Sequence, residues 1–414
     1  MEKTPVAYKL LALILLSLML MSCLTSSEKS KSKAAESSED AQEVEENVTL
    51  GKKDSQDEAS WFDDETRPID PGQYTSVPIP TPEKGSVSID DISIDYIYTT
   101  EIITVIYHLY GSALENFLTV TLTNDNQQPV RLEVMSEVIG YTTPSLDTVD
   151  LEPGESLEVY QNPRLEPEAI DKLNAQHPAQ FHIQVTMLKE GEKRELLNQT
   201  HEILVYGRRD FPWDITGFER QEVLELFAAM VTPHDPAVEE LLRAAADYHP
   251  GGLITGAYSG IENDAEGKVW DRLKAVYDAE ANVYDLTYIN TWVSYAPGAV
   301  QRIRMPADVL EQHSGNCIEL ALLYASACEA MDLESAIILI PGHAFPVVRT
   351  DMVNAKYYAV EATMVGRASF EDAVAVGTDE MEDALMHLDA GDEGYGWITI
   401  ATAREKGILP IPWR

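Results

Sequence analysis

Between Tyr206 and Arg209 the apolar pattern changes its period, and this change limits the possible folds more than any other feature of the sequence. Upstream of it, apolar residues come in strand-length runs. Ile103-Thr-Val-Ile-Tyr-His-Leu109, Leu118-Thr-Val-Thr-Leu122 and Val130-Arg-Leu-Glu-Val134 are the first three. Leu157-Glu-Val-Tyr160, Phe181-His-Ile-Gln-Val-Thr-Met187 and Glu202-Ile-Leu-Val-Tyr206 complete the set. Turn-forming clusters, Thr123-Asn-Asp-Asn126 and Leu151-Glu-Pro-Gly154, punctuate them. Side chains alternate faces along a strand, so runs of this length and spacing bury one side against another sheet.

Downstream, apolar residues recur at helical spacing over Phe218–Met230, Asp235–Tyr248 and Glu266–Ala281. Asp235 is placed to cap its helix, with Pro236 at the first helical position. Strand-like runs return after Met331. The fold class expected is therefore multidomain. An antiparallel β-sandwich of immunoglobulin-like type spans 85–208, with a short helical excursion over Leu165–Leu173, and an α+β domain spans 209–414. His108, His177, His182 and His201 fall in the strand part without metal-ligand spacing, and they read as structural.

The first 84 residues read differently. Lys3 and Lys9 precede an apolar run from Leu10 to Met21 that ends in Leu20-Met21-Ser22-Cys23. Twelve residues of helix span about 18 Å, too little to cross a bilayer comfortably, and the layout is that of an export signal. Residues 24–84 are polar and acidic with late prolines, the composition of a disordered tether. Of 414 residues, 70 are acidic and 30 basic, a formal net charge of -40. Such a surface repels phosphate backbones and argues against nucleic-acid binding.

His313-Ser-Gly-Asn-Cys317 carries the chemical interest. Gly315 permits a turn, Asn316 can cap, and Cys317 then opens a helix whose inward stripe is Leu320, Leu323, Tyr324 and Ala327. A thiol at a helix mouth feels the positive dipole end, which favours thiolate, and first-turn N–H groups can hold an oxyanion. Cys328, eleven residues on, lies about 16 Å away along a helix, beyond disulfide reach. Further on, Pro341-Gly342 separates the buried run Ser335–Ile340 from His343-Ala-Phe-Pro-Val-Val348, and Tyr357–Thr363 reads as the next strand. Alternation there puts Tyr357, Ala359 and Glu361 on one face. An imidazole can take a thiol proton, and a carboxylate can fix the imidazole tautomer.

Two resemblances follow from these residues. Leu20-Met-Ser-Cys23 resembles a bacterial lipobox, which implies cleavage before Cys23, lipid attachment to its sulfur and an extracytoplasmic, membrane-anchored location. Leu24 after the cysteine implies the outer membrane where the host has one. Gly315-Asn-Cys317, Pro341-Gly-His-Ala-Phe345 and Glu361-Ala-Thr363 together resemble the three motifs of bacterial transglutaminase-like domains, which have a papain-like core. Phe227–Pro236, Gln301–Pro306 and Gly366–Ala373 extend the likeness over about 210–414. The resemblance implies Cys317 as nucleophile, His343 as base and then acid, and Glu361 as orienting acid. Glu361 stands where the family usually has aspartate, Ala362 where it has proline, Phe345 where tryptophan is common, and Glu319 where aspartate is frequent.

Gln301 is a candidate oxyanion donor. Trp292–Gly298 and the acidic segment Asp379–Glu393 are expected to border the cleft. The substrate implied is a protein or peptide amide, with no cofactor and no metal. The other reading is a non-catalytic surface lipoprotein that binds a protein or cell-envelope partner.

Overall fold

In the computed structural model, residues 82–189, 191–215, 218–254, 265–290, 299–350 and 356–412 are described. Leu10–Met21, Cys23, the tether up to residue 81 and Trp292–Gly298 lie outside the described residues. Among the described residues, no helix is long and apolar enough to cross a membrane.

The strand part consists of two sheets around one core. β1 (Glu83–Ile89), β2 (Ile92–Tyr98), β4 (Leu118–Asn124) and β7 (Ser156–Gln161) form the first, in that order. The second runs β3 (Glu101–Ile102), β9 (Glu192–Val205), β8 (His177–Lys189), β5 (Val130–Val138) and β6 (Ser145–Leu151). Ile94, Leu118, Val120 and Leu122 from one sheet share a buried cluster with Val134, Phe181, Ile183 and Val185 from the other. The pairing is antiparallel except at one edge, where β3 runs parallel to β9. The excursion near Leu165 is a single helical turn, α1 (Pro167–Ile170).

The run Ile103–Leu109, expected as a strand, is instead a 3-10 helix over Thr104–Leu109. It serves two cores. Tyr107 packs with the strand part, whereas Val105, Ile106 and Leu109 join Phe211, Phe227 and Met230 of the helical part. A strand has only two faces and is buried here from more directions, so a short apolar run does not specify its own element. Two of the histidines of this part pack within the fold: His108 Nε2 lies 2.9 Å from the carbonyl of Leu409, far along the chain, and His201 packs on Tyr98.

The helical part opens with β10 (Asp210–Pro212), then α2 (Arg220–Leu226) and a 3-10 turn over Phe227–Met230. α3 (Pro236–Ala245) begins as expected, with Asp235 accepting from Ala237 N. α4 (Ala265–Asn282) follows. β11 (Thr287–Tyr288), β12 (Val300–Arg302), α5 (Pro306–Gln312) and β13 (Ser314–Gly315) lead into α6 (Cys317–Ala330). Next come β14 (Ser335–Ile340), β15 (His343–Arg349) and β16 (Tyr357–Ala359), then α7 (Phe370–Ala390), β17 (Gly396–Thr399) and α8 (Ile400–Glu405). The sheet order is β16-β15-β14-β17, antiparallel throughout.

α6 lies inside this part rather than on it. Every residue from Cys317 to Cys328 is buried. Ile318, Ala321, Leu322 and Ala325 enter one core, and Leu320, Leu323, Tyr324, Ala327 and Cys328 enter another. The single stripe expected from the sequence is therefore half of the truth, because this helix has no solvent side. The described residues belong to one compact unit.

Candidate active site

Cys317 owes its place to the way α5 stops. His313, not Gly315, takes the left-handed conformation (φ 54°) that ends α5. Gly315 is needed for closeness instead: a Cβ there would sit 2.9 Å from Leu320 and 3.3 Å from Val309. Asn316 then caps α6, accepting from Glu319 N at 3.0 Å, while Glu319 accepts from Asn316 N at 3.0 Å. This reciprocal box fixes the first turn and the thiol on it. Glu319 is fully committed, for it also binds Arg304 through Nε and Nη2, the latter at 2.6 Å. It is a structural anchor for the helix mouth. Glu319, three residues after Asn316, is the sequence signal for this box, whereas its tie to Arg304 emerges only from the fold.

His343 begins β15 directly after Pro341-Gly342. Ile340 pairs with His343, so the loop has two residues, and Gly342 is left-handed (φ 77°). Proline followed by a left-handed glycine is the residue pair of a type II turn. β16 pairs beside β15 with Val347 opposite Ala359, and Val360 N bonds the Pro346 carbonyl at 3.0 Å. Continued by two residues, that register sets Glu361 opposite Phe345, diagonal to His343 on the same face. A diagonal neighbour is within reach of a long side chain. The strand itself ends at Ala359, earlier than expected. Glu361 caps the following 3-10 turn, Ala362–Met364, and accepts from Thr363 N at 2.9 Å.

The three groups meet. His343 Nε2 is 2.6 Å from Glu361 Oε2, and the His343 side chain is hydrogen-bonded to Cys317. With Nε2 committed to the acid, Nδ1 is left for the sulfur. All three residues are buried, at 1%, 5% and 2% exposure for Cys317, His343 and Glu361. Burial disfavours an imidazolium here, but the Glu361 carboxylate and the Cys317 sulfur outweigh it, and the His343 pKa stands well above its ordinary value. Burial likewise opposes a charged Glu361. His343 prevails, with smaller help from hydrogen bonds to Glu380 and Thr363, and takes its pKa down to about 2.

Cys328 has a different fate. Burial within the core pushes its thiol pKa far up, and neither cysteine is in a disulfide. Gln301 is buried on β12 opposite Phe211, and its amide donates to the Arg302 carbonyl at 3.2 Å.

Two further groups border the site. Tyr288, on β11 beside Gly315, is raised to about 12, first by burial and then by the charges of Cys317 and Glu361. Arg367 sits over its ring at 5.5 Å. Glu380, from the acidic segment expected at the cleft, lies with Oε2 3.8 Å from His343 Nε2. His343, Glu361 and Glu380 each offer one atom within a 4.8 Å cluster that could hold a metal ion. Bonds of about 2.0–2.2 Å to one ion hold its ligands roughly 3 Å apart or more. The 2.6 Å His343–Glu361 contact is that of a shared proton, so the spacing fits protons better than a metal.

No protein-family model matches the chain, and neither does any curated protein. Among solved structures, it is similar to a candidate cysteine protease from Cytophaga hutchinsonii. The identity is 11%, the match covers 60% of this chain and 75% of that one, and the TM-score is 0.21. A FixG-related protein from Vibrio parahaemolyticus is 16% identical over 29% of this chain and 99% of its own, with a TM-score of 0.19. Part of native alpha-2-macroglobulin from Escherichia coli is 15% identical over 52% and 37%, with a TM-score of 0.17. At TM-scores this low the three likenesses carry no argument, and the chemistry rests on the geometry above.

Proposed function

We propose that this chain is a thiol acyl-transfer enzyme acting on amide bonds of proteins or peptides. The observation that carries the proposal is the buried contact of a helix-mouth thiol, an imidazole and a carboxylate, each supplied by a different element. The Cys317 proton passes to His343, and Glu361 stabilises the imidazolium. The sulfur attacks the amide carbon, and the negative charge gathers on the former carbonyl oxygen near the first turn of α6. The imidazolium returns its proton to the departing amine, leaving a thioester on Cys317. Water or a second amine then attacks the thioester, giving hydrolysis or cross-linking.

Within this reading, the strand part is an immunoglobulin-like sandwich and the helical part a transglutaminase-like domain with a papain-like core. We further propose that Cys23 carries lipid and that the polar segment after it tethers the enzyme outside the cytoplasm. The motif order Cys, His, acid supports the family reading, and the lipobox-like residues support the anchor.

Incubation of the full chain with a peptide library, followed by mass spectrometry of trapped protein, tests the chemistry. An acyl adduct on Cys317, lost in Cys317→Ala and His343→Ala, is the expected result. Adducts that survive Cys317→Ala would overturn the assignment.

A further inference from the structure

α7 lies directly against the backbone that carries the acid. A Cβ on Gly377 would stand 2.8 Å from the carbonyl carbon and oxygen of Ala359 and 2.9 Å from Glu361 N. Glu361 N donates to the Ala373 carbonyl at 3.0 Å. Residues three apart on a helix share a face, so the glycine that permits this contact also aims Glu380 at the His343–Glu361 pair. The Glu380 side chain is 19% exposed and shares a hydrogen bond with Glu361.

Two carboxyls in contact cannot both ionise cheaply, so one holds a proton. Donor counting says which. Glu361 receives His343 Nε2, Thr363 N and the Thr363 hydroxyl. Glu380 Oε2 is buried and receives no donated hydrogen bond. Glu361 is therefore the carboxylate and Glu380 the neutral acid.

We propose that Glu380 is a positioning residue, which as a neutral acid donates its proton to Glu361 and holds that carboxylate on Nε2 of His343. The proposal rests on the acyl-transfer reading of Cys317, His343 and Glu361. A second buried carboxyl also supplies a brace that a glutamate needs more than an aspartate, since the longer side chain has one more rotor to fix. The electrostatics agree: burial, then the Glu361 charge, carry the Glu380 pKa up to about 8, against the opposing pull of His343. Those two groups and Asp379, its neighbour on α7, are the charges that Glu380 feels. Above that pH its proton goes to solvent, the bond to Glu361 is lost, and a second negative charge makes the imidazolium a poorer acid.

The isosteric substitution Glu380→Gln keeps a donor that cannot ionise, and Glu380→Ala removes it. In the full-length chain, the imidazole NMR signals of His343 should show a step near pH 8 that disappears in Glu380→Gln. On a cleavable peptide amide, Glu380→Gln should keep kcat at pH 7 and extend activity above pH 8. Glu380→Ala should lose at least about ten-fold in kcat with little change in KM, as expected when a reacting group is misplaced. An unchanged His343 titration in Glu380→Gln, or wild-type kcat in a folded Glu380→Ala, would overturn the role. The NMR titration needs no substrate, so it judges Glu380 even if wild-type protein proves unable to transfer acyl groups, an outcome that would instead sink the acyl-transfer reading.

Discussion

At the residue scale, the decisive detail is the length of one side chain. Glu361 stands diagonal to His343, and its extra methylene spans that diagonal to close a 2.6 Å bond. Glu361→Asp should therefore open the contact even though aspartate is the commoner acid in the family the motifs resemble. We expect a fall in kcat of roughly 10²-fold, the scale of a 1 Å misplacement, with KM little changed. Equal or higher activity in the aspartate variant would show that the longer acid is not matched to this backbone. Glu361→Gln removes the charge that sustains the imidazolium, so the His343 pKa should fall, as an NMR titration would show. The two thiols also diverge by position alone. Iodoacetamide should modify Cys317 in native protein well before Cys328, whose thiol is held protonated by burial. Peptide mapping of the label checks this directly.

At the element scale, neighbouring residues set the start of α6, and distant ones set the docking of α7. Asn316 sits directly before Cys317, so the cap is a local fact that the sequence states outright, whereas the box that Glu319 closes emerges with the structure. Asn316→Ala should cost about 1 kcal/mol, the usual value of an N-cap, measurable by denaturant unfolding. α7 mixes strong helix formers with aspartates and a mid-helix glycine, and the purpose of that glycine is visible only against β16 and the acid loop. Gly377→Ala would raise helix propensity in isolation, yet here the new methyl meets backbone that cannot yield. We expect lower stability and a kcat loss together, since the methyl displaces both Glu361 and Glu380. A more stable, fully active variant would refute that docking. The 3-10 helix at Thr104–Leu109 and the early end of β16 depart from the strand pattern for a related reason. Both segments are apolar on more than one face, and periodicity is silent once every face is buried.

At the scale of the whole molecule, burial sets how stability follows pH. Burial carries Glu101 to about 7, Glu380 to about 8 and Glu280 well above its ordinary value. Each holds its proton more tightly folded than unfolded. Their contribution is complete below an unfolded carboxyl pKa and is lost as pH rises through the folded values. His343, raised by Glu361 and Cys317 against its burial, acts in the same direction. Glu361, lowered to about 2, has the opposite sign and loses its contribution only below the unfolded carboxyl range. His108 and His201, lowered by burial, cost stability as pH falls through 6.5. Thermal melts should therefore decline by several degrees between pH 6 and 8.5. Added salt should restore part of this at the upper end, because it screens the repulsion within a chain of formal charge -40. A melting temperature that rises over that interval would contradict the assignment of protons to these buried acids.

The sequence by itself determined the division into a strand part and a helical part, the cap on α6 and the identity of the three groups that meet. Those features are written in neighbouring residues: a period, a turn pair, a capping residue. Tertiary structure alone decided that α6 has two cores and no outer face, that Glu361 reaches His343 along a diagonal, and that Glu380 completes the pair. The physical reason is distance along the chain. The register of β15 against β16, and the close approach that Gly377 allows, join backbones that no local pattern relates.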